Sequence, residues 1–367
     1  METVIYIIIL LYFTEHLIYF FGMLANLKKG KAEFSENTYP FVSVIVAARN
    51  EENNIGACIE SLLKLDYPRE KLEVIIMNDR STDRTGEITK SYLSQNPKLV
   101  YIEAVETEGR LKGKTRALTQ AVKKSKGEII FTTDADCTVK PSWVREAVKY
   151  YDDNTGVVNS YTIIEPKNIY WGFQAYDWLY LLTIASGADG INNQLSCVGN
   201  NMSYRRQAYD EVGGYENIKF SVTEDFMLLK TIRDKTKWKV KYPLNENIVN
   251  YTLPCATGKE LYRQKKRWGR GGLDIRITGF LVGLIGWSSA VVMLFGWLFA
   301  GLAPYLLFVI SKLVIDLLFV LLPAVKFKSY KVFLYLIPFE IYFALYAIFM
   351  PFILLFDRQV VWKEQKL

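Results

Sequence analysis

Histidine is almost absent from this sequence. The only one among 367 residues is His16, which lies in an apolar run near the N-terminus. Catalysis by a Ser-His-Asp or Cys-His arrangement is therefore excluded for the rest of the chain, and so are metal sites built on imidazole ligands. Any general base outside that run is expected to be a carboxylate.

Several motifs that define common functions are missing as well. The four cysteines are scattered and form no Cys-x-x-Cys pair, which fits reduced thiols better than a disulfide framework or a zinc site. No Gly-x-Gly-x-x-Gly follows the first predicted strand, and no Walker lysine motif occurs. The formal net charge is +7, but no basic patch interleaved with aromatic residues accompanies it. We therefore expect no nucleic-acid partner.

Long apolar runs near both ends predict the domain organisation. Residues 3–27 and about 277–356 nearly lack charge and are long enough to span a bilayer, whereas residues 28–276 carry most of the charge. The sequence predicts a transmembrane anchor over 1–27, a globular domain over 28–276 and a transmembrane region over 277–367. Spans are expected at about 3–25, 279–300, 304–325 and 332–356.

The charges beside these runs predict their orientation. The first run lacks a basic start and a small-residue cleavage site, so a retained anchor is expected rather than a cleaved signal peptide. The basic residues at 28–31 place the globular domain in the cytoplasm, which makes the chain an integral protein of the cell (inner) membrane. The tail at 358–366 would then lie outside. A re-entrant or interfacial last segment, which contains Glu340 and two prolines, therefore stays open.

Segments typical of strands and helices alternate in the first half of the globular domain. Runs rich in β-branched residues alternate with segments in which apolar residues recur every three or four positions. Strands are predicted at 42–48, 72–77, 100–103 and 128–133. Helices are predicted from about 55, with a stop at Tyr67-Pro68, and at about 85–94 and 114–124. Repeated βα units predict an α/β, Rossmann-like fold with a mainly parallel sheet. The second half of the domain is less regular.

Acidic residues follow three of the predicted strands. Glu51 follows the first strand, Asp79 the second, and Asp134-Ala135-Asp136 the fourth. Ligands of open α/β sheets bind beyond the carboxyl ends of the strands, where Asp79 could accept hydrogen bonds from a base or ribose. Asp134 and Asp136 share one face of an extended backbone, which predicts a site for Mg²⁺ or Mn²⁺ that carries a diphosphate. The alternative for each acid alone is a turn or helix cap.

Two later segments also carry candidate functional groups. Glu224 and Asp225 begin a predicted helix, where a carboxylate could act as a general base or simply cap the helix. Gln264, Arg267 and Trp268 share one helix face, and Arg can grip a diphosphate while Trp offers a flat apolar platform. The alternative there is a basic cluster with an interfacial Trp beside the membrane.

In this order along residues 42–272, the motifs resemble those of membrane-embedded family-2 glycosyltransferases, which have a GT-A catalytic domain. The last of them resembles the signature of cellulose, chitin and hyaluronan synthases and of ceramide glucosyltransferase-like enzymes. The motifs are the strand segment 42–52, Asn78 to Asp83, Lys112-Gly113-Lys114, Asp134-Ala135-Asp136, Thr223-Glu224-Asp225 and Gln264-x-x-Arg267-Trp268.

The resemblance implies a role for each matching residue. The residues implied to hold the nucleotide-sugar donor are Glu51, Asp79, Lys114, Asp134, Asp136 and Arg267. Those implied to bind the acceptor are Glu224, Gln264 and Trp268. Asp136 and Asp134 would also bind the metal ion, Mg²⁺ or Mn²⁺, and Asp225 would deprotonate the acceptor hydroxyl. One departure is the Thr115-Arg116 pair that follows Lys114, where related sequences often carry small residues.

The implied reaction is an inverting, metal-dependent transfer of a sugar from a nucleotide-diphosphate sugar, with UDP the expected nucleotide. The acceptor is expected to be a membrane lipid, because few membrane spans argue against a polymer channel. A processive polysaccharide synthase is the alternative. A non-catalytic membrane scaffold of the same fold is also considered, but the loss of Asp136 or Asp225 that would mark it is not seen.

Overall fold

The computed structural model describes residues 2–27, 38–106, 111–274, 276–357, 359–362 and 365–366. The basic stretch 28–31 and Arg358, used above to predict orientation, lie outside these ranges. Within them the chain forms a mixed, mainly parallel sheet with helices, together with long apolar helices. The predicted α/β fold with membrane-type helices is therefore confirmed.

The helices and strands are as follows. The helices are α1 (Glu2–Leu27), α2 (Ile55–Leu63), α3 (Thr85–Ser91), α4 (Gly113–Lys124), α5 (Trp143–Val148), α6 (Ile169–Gly190), α7 (Arg206–Glu211), α8 (Gly214–Asn217), α9 (Glu224–Lys235), α10 (Gly258–Gly271), α11 (Ile277–Phe295), α12 (Leu302–Lys326) and α13 (Leu336–Phe356). The strands are β1 (Val42–Ala48), β2 (Leu72–Asn78), β3 (Leu99–Glu103), β4 (Ile129–Asp134), β5 (Cys137–Val139), β6 (Thr155–Asn159), β7 (Thr162–Ile164), β8 (Met202–Arg205), β9 (Lys239–Lys241), β10 (Asn250–Thr252), β11 (Val361–Trp362) and β12 (Gln365–Lys366).

The main sheet has the strand order β3-β2-β1-β4-β8-β6-β9 among the described residues. Strands β1 to β4 run parallel, β8 is antiparallel to both β4 and β6, and β9 is parallel to β6. All seven residues of β1 are buried, as expected for a central strand that is covered on both faces. The apolar stripe of α2, with Ile55, Ile59 and Leu62, packs into the same core.

Two elements differ from the sequence predictions. The helix predicted over 85–94 ends at Ser91 and continues as a short 3-10 segment, Leu93–Gln95. Pro97 follows shortly after and disfavours the helical conformation for the residue before it. The 22-residue helix α6 was not predicted at all. Its N-cap, Asn168, accepts a hydrogen bond from the Trp171 N–H at 2.8 Å, and this capping residue before an apolar run is the signal that was missed.

The chain divides into two compact units. One, here called the sheet unit, comprises Lys29–Thr162, Ser196–Leu253 and Val360–Leu367. The other, here called the helical unit, comprises Met1–Lys28, Ile163–Leu195 and Pro254–Gln359, so α6 and α10 belong to it. The domain boundaries given by the sequence, 1–27, 28–276 and 277–367, stay a prediction.

The helical unit contains the apolar helices. Four segments are long and apolar enough to cross a membrane, namely Glu2–Leu27, Ile277–Leu298, Leu302–Lys326 and Tyr330–Phe356. They match the four predicted spans and fit membrane association.

Buried polar side chains lie between these helices and pair with one another. Lys312 Nζ lies 2.6 Å from Asp316 Oδ2 and 2.6 Å from Glu340 Oε2. The His16 ring shares a hydrogen bond between Nε2 and the Tyr180 hydroxyl, with the two atoms 2.7 Å apart. Pairing of this kind compensates for the cost of placing charged groups in an apolar region. His16 is thus part of the helix packing, in keeping with its exclusion from catalysis in the globular domain.

Glycines allow α1 and α6 to approach closely within the helical unit. A methyl group at Gly22 would overlap the carbonyl oxygen of Gly187, and one at Gly190 would overlap the carbonyl oxygen of Gly22. Small residues are typical of such helix contacts in membranes, because they let two backbones come together.

We predict that Gly22→Ala destabilises the helical unit. The added methyl group meets backbone, which cannot rotate away, and overpacking of this kind costs about 2 kcal/mol. Gly283→Ala is the matched control, because Gly283 lies in α11 with no atom within 4 Å of the added carbon. Melting of the purified protein in detergent should show a lower midpoint for Gly22→Ala only. Equal midpoints for the two variants would mean that α1 and α6 do not approach at Gly22.

Candidate active site

The register of the parallel strands brings the predicted acidic residues to one edge of the sheet. Ala48 at the end of β1 pairs with Asn78 at the end of β2, and Ala47 pairs with Asp134 at the end of β4. Glu51 and Asp79 follow β1 and β2 directly. The carboxylates predicted to lie beyond three strands therefore leave the sheet at the same edge, where open α/β sheets bind ligands.

The turns after β1 and β2 are tied to each other. Asn50 and Arg80 adopt left-handed backbone conformations, with φ of 52° and 54°. The Arg49 guanidinium donates to the carbonyl oxygen of Asp79 at 2.7 Å, and the N–H of Glu51 donates to Thr85 Oγ1 at 2.7 Å. Positive φ is uncommon for residues other than glycine and is concentrated at functional sites. This edge of the sheet is thus held by specific contacts at some cost in backbone strain.

Asp79 is a buried carboxylate of which one oxygen has no hydrogen-bond partner among the described residues. Its side chain is 1% exposed, and Oδ1 lies 3.1 Å from Arg116 Nη2 and 3.5 Å from Arg80 Nε. Oδ2 is buried and has no hydrogen-bond partner among the described residues. A buried acceptor without a donor is costly, so this oxygen fits an N–H or O–H group of a bound ligand. Arg116 is the ion-pair partner of this carboxylate. In the sequence it was noted only as a residue that differs from the small residues common in related sequences.

Lys114, Asp134 and Glu224 meet in one ion-paired group. Lys114 Nζ lies 2.6 Å from Asp134 Oδ1 and 3.2 Å from Glu224 Oε1, and Glu224 is almost fully buried. Burial alone would lower the pKa of the Lys114 ammonium, but the Asp134 and Glu224 carboxylates outweigh it and raise that pKa above its ordinary value. Lys114 therefore stays charged and joins the end of β4 to the start of α9.

Asp225, the predicted general base, is fixed at the start of α9. Its Oδ2 accepts a hydrogen bond from the N–H of Gly199 at 2.5 Å, and its Oδ1 accepts one from the N–H of Phe226 at 2.8 Å. A side chain at position 199 would place a carbon 3.0 Å from Asp225 Oδ2. The carbonyl of Gly199 in turn accepts from Thr132 Oγ1 at 2.7 Å, which ties this turn to β4. The role of Gly199 in fixing Asp225 was not predicted from the sequence.

Asp134 and Asp136 are the candidate metal ligands. Both side chains are partly exposed at the end of β4, and within the described ranges no group of three or more His, Cys, Asp or Glu side chains could hold a metal ion. Mg²⁺ and Mn²⁺ are commonly bound by one or two carboxylates, with water and phosphate oxygens as the remaining ligands. Two carboxylates two residues apart fit such a site, because a bound diphosphate would complete it.

The cysteines beside these acids are inert. Burial raises the pKa of Cys58 and Cys137, and the carboxylates of Asp136 and Asp134 raise both further. Both thiols therefore stay protonated near neutral pH and are poor nucleophiles or metal ligands. Carboxylates remain the groups at this edge that can hold a metal ion or take a proton.

The remaining predicted site residues lie on one helix of the helical unit. Gln264, Arg267 and Trp268 all belong to α10, and each is partly buried. The helix is capped at its N-terminus by Thr257, whose hydroxyl accepts from the N–H of Glu260 at 3.2 Å. The Trp268 ring packs against the Trp178 ring of α6, with ring centroids 5.0 Å apart.

Two family models match the chain. The model described as glycosyl transferase family 2 matches residues 43–213, and the model described as glycosyl transferase family group 2 matches residues 129–356. The second match covers more than half of the 367 residues and includes the acids of β4 and α9 together with α10.

The chain is also similar to two named synthases. A beta-monoglucosyldiacylglycerol synthase from Synechocystis sp. is 32% identical over 243 residues, which cover 64% of this chain and 48% of that protein. A poly-beta-1,6-N-acetyl-D-glucosamine synthase from Staphylococcus aureus is 24% identical over 275 residues, which cover 73% of this chain and 62% of that protein. The chain thus spans about half the length of the first of these relatives.

A solved structure shares the fold over nearly the whole chain. It is a mannosyltransferase from Pyrobaculum calidifontis, in complex with GDP-Man and Mn²⁺, with a TM-score of 0.64 and 18% identity, and the match covers 97% of this chain and 99% of that one. This likeness confirms the GT-A fold. With the family models and the motifs, it shows that the chain belongs to the family 2 glycosyltransferases.

Proposed function

We propose that the chain transfers a sugar from a nucleotide-diphosphate sugar to a membrane lipid, with UDP as the first candidate nucleotide. The observation that carries this proposal is the grouping of Lys114, Asp134 and Glu224 at the sheet edge, with Asp225 fixed next to Glu224. Such a site has carboxylates that could bind a metal ion or act as a general base, and a lysine that could pair with a phosphate group. It contains no histidine.

The donor nucleoside would be held by Asp79 and Glu51. Oδ2 of Asp79, which has no partner among the residues that the structure describes, is suited to accept from the base or the ribose, and the contact of Oδ1 with Arg116 keeps the carboxylate in place. Glu51 Oε2 accepts from Asn54 Nδ2 at 2.8 Å, which orients this second carboxylate at the start of α2.

The donor diphosphate would lie beside Asp134, Asp136 and Lys114. Asp136, with Asp134, would hold Mg²⁺ or Mn²⁺, and this ion would supply the positive charge that neutralises the leaving diphosphate. Lys114 would exchange part of its pairing with Asp134 and Glu224 for a diphosphate oxygen. Arg267 would give bidentate hydrogen bonds to the same group.

The acceptor hydroxyl would be activated by Asp225. Two N–H donors fix this carboxylate, so it is oriented before the acceptor arrives. Proton removal as the hydroxyl attacks gives one in-line displacement, which inverts the anomeric centre. Glu224, Gln264 and Trp268 would bind the acceptor, with the Trp268 ring as its apolar platform.

A lipid acceptor is favoured by the apolar helices and by the name of the Synechocystis relative, a beta-monoglucosyldiacylglycerol synthase. Diacylglycerol is therefore the first acceptor to test. A processive polysaccharide synthase is the second candidate, supported by the name of the Staphylococcus aureus relative. In either case the chain would be an integral protein of the cell membrane, with its catalytic residues on the cytoplasmic side.

We expect the purified chain to label lipid rather than polymer. It would be incubated with radiolabelled nucleotide sugars, Mn²⁺ and either a lipid extract or diacylglycerol in detergent micelles. The expected product moves with lipids on thin-layer chromatography and carries one sugar or a few. High-molecular-weight product that a glycan hydrolase digests would instead support the polysaccharide synthase.

We predict that Asp225→Asn lowers the turnover of sugar transfer by roughly 100-fold or more, since a general base contributes about that factor. Binding of the nucleotide diphosphate, measured by isothermal titration, should stay unchanged. Asp234→Asn is the matched control, because Asp234 lies at the other end of α9 and pairs with Arg233 on the same helix. Turnover of Asp225→Asn equal to that of this control would show that Asp225 is not the base.

A further inference from the structure

A buried ion pair joins α10 to α6 in the helical unit, and none of the roles above uses it. Lys265 Nζ contacts Asp177 Oδ2, and each side chain is 3% exposed. Lys265 lies inside the Gln264-x-x-Arg267-Trp268 motif, at one of the two positions that the motif leaves unspecified. Asp177 lies in α6, the helix that the sequence did not predict.

Aromatic rings surround this ammonium. Lys265 Nζ lies 4.5 Å from the centroid of the Trp268 ring, 5.2 Å from that of Tyr346 and 5.9 Å from that of Tyr342. The Trp268 ring thus contacts both the Lys265 ammonium and the Trp178 ring, whose centroid is 5.0 Å away. A cation over an indole face is attracted to it, most strongly where water is excluded.

Stability alone does not account for the pair. The free-energy cost of removing two charges from water is commonly as large as the attraction between them in a buried pair. Apolar replacements of such pairs are therefore often neutral or stabilising. Burial raises the pKa of Asp177 although Lys265 lies beside it, which reflects that cost. The pair instead fixes a position, because the Asp177 carboxylate determines where the Lys265 ammonium lies.

We infer that Asp177 is a positioning residue for the acceptor site. It holds Lys265 against the face of Trp268 and so fixes the indole on which, in the proposed function, the acceptor rests. This role rests on the proposed function and adds to it a residue outside the recognised motifs.

The neighbouring lysine provides a natural control. Lys266 is also buried and also forms an ion pair, with Asp357 Oδ2 at 2.5 Å. Its Nζ lies over the Tyr262 ring, 5.7 Å from the centroid, and within the described ranges it makes no cation–π contact with Trp268. Loss of the Lys266 pair would therefore loosen α10 without releasing the indole.

The experiment compares the KM for the acceptor with that for the donor. Asp177→Asn, the double variant Asp177→Leu with Lys265→Met, the conservative variant Lys265→Arg and the control Lys266→Met would be assayed with diacylglycerol in detergent micelles. Each would also be assayed for donor hydrolysis without acceptor, and its melting temperature recorded. The double variant removes both charges together, so it tests positioning even if Asp177→Asn fails to fold around an unpaired lysine.

We expect the acceptor KM of the double variant to rise about 3- to 10-fold, the range that loss of a cation–π contact implies. Donor KM, donor hydrolysis and melting temperature should stay near those of the wild type. Lys265→Arg should keep the acceptor KM close to that of the wild type, since arginine can keep both the ion pair and the ring contact. Lys266→Met should leave it unchanged.

Two results would overturn the inference while leaving the proposed function intact. One is a double variant that folds and keeps the wild-type acceptor KM. The other is an acceptor KM of the control Lys266→Met that rises as much as that of the double variant, which would indicate a general effect on α10. A wild-type chain that labels no lipid would overturn the proposed function, and this inference with it.

Discussion

Parallel pairing of β1 with both β2 and β4 is the constraint on which the sheet unit depends. Because the three strands run in the same direction and in matched register, their carboxyl ends reach one edge together. Side chains separated by many residues in the sequence, such as Asp79 and Asp134, leave the sheet along that edge. The cost of gathering like charges there is reduced by paired cations, the buried Arg116 beside Asp79 and the partly buried Lys114 beside Asp134.

The scarcity of histidine gives this edge its chemical character. Carboxylates and a lysine can hold a divalent cation, balance a diphosphate and take a proton, whereas the buried thiols of Cys58 and Cys137 stay protonated. Asp79 has one oxygen without a hydrogen-bond partner in the described part of the chain, and Asp225 is fixed by backbone N–H groups. A site of this kind is suited to bind a metal with a nucleotide diphosphate and to activate a hydroxyl, which is the chemistry of sugar transfer.

Much of this arrangement could be predicted from local sequence. The β-branched run of β1 and the apolar stripe of α2 indicated a parallel α/β sheet, and the acids that follow three predicted strands indicated the edge at which they gather. Helix α6 was missed because its apolar and aromatic run lacks the one-sided pattern of an amphipathic helix. The contacts of Arg116 with Asp79, of Gly199 with Asp225 and of Lys265 with Asp177 join residues far apart in the chain. Only folding brings such pairs together, so neither propensity nor periodicity could indicate them.

Binding of a nucleotide diphosphate through a divalent cation at the sheet-edge acids can be measured by isothermal titration of UDP into the detergent-solubilised wild-type chain, first with Mn²⁺ and then with the metal chelated. We expect saturable binding at one site with Mn²⁺ and loss of that binding on chelation. If UDP, GDP and ADP all gave no metal-dependent binding, the assignment of Asp134 and Asp136 would be contradicted.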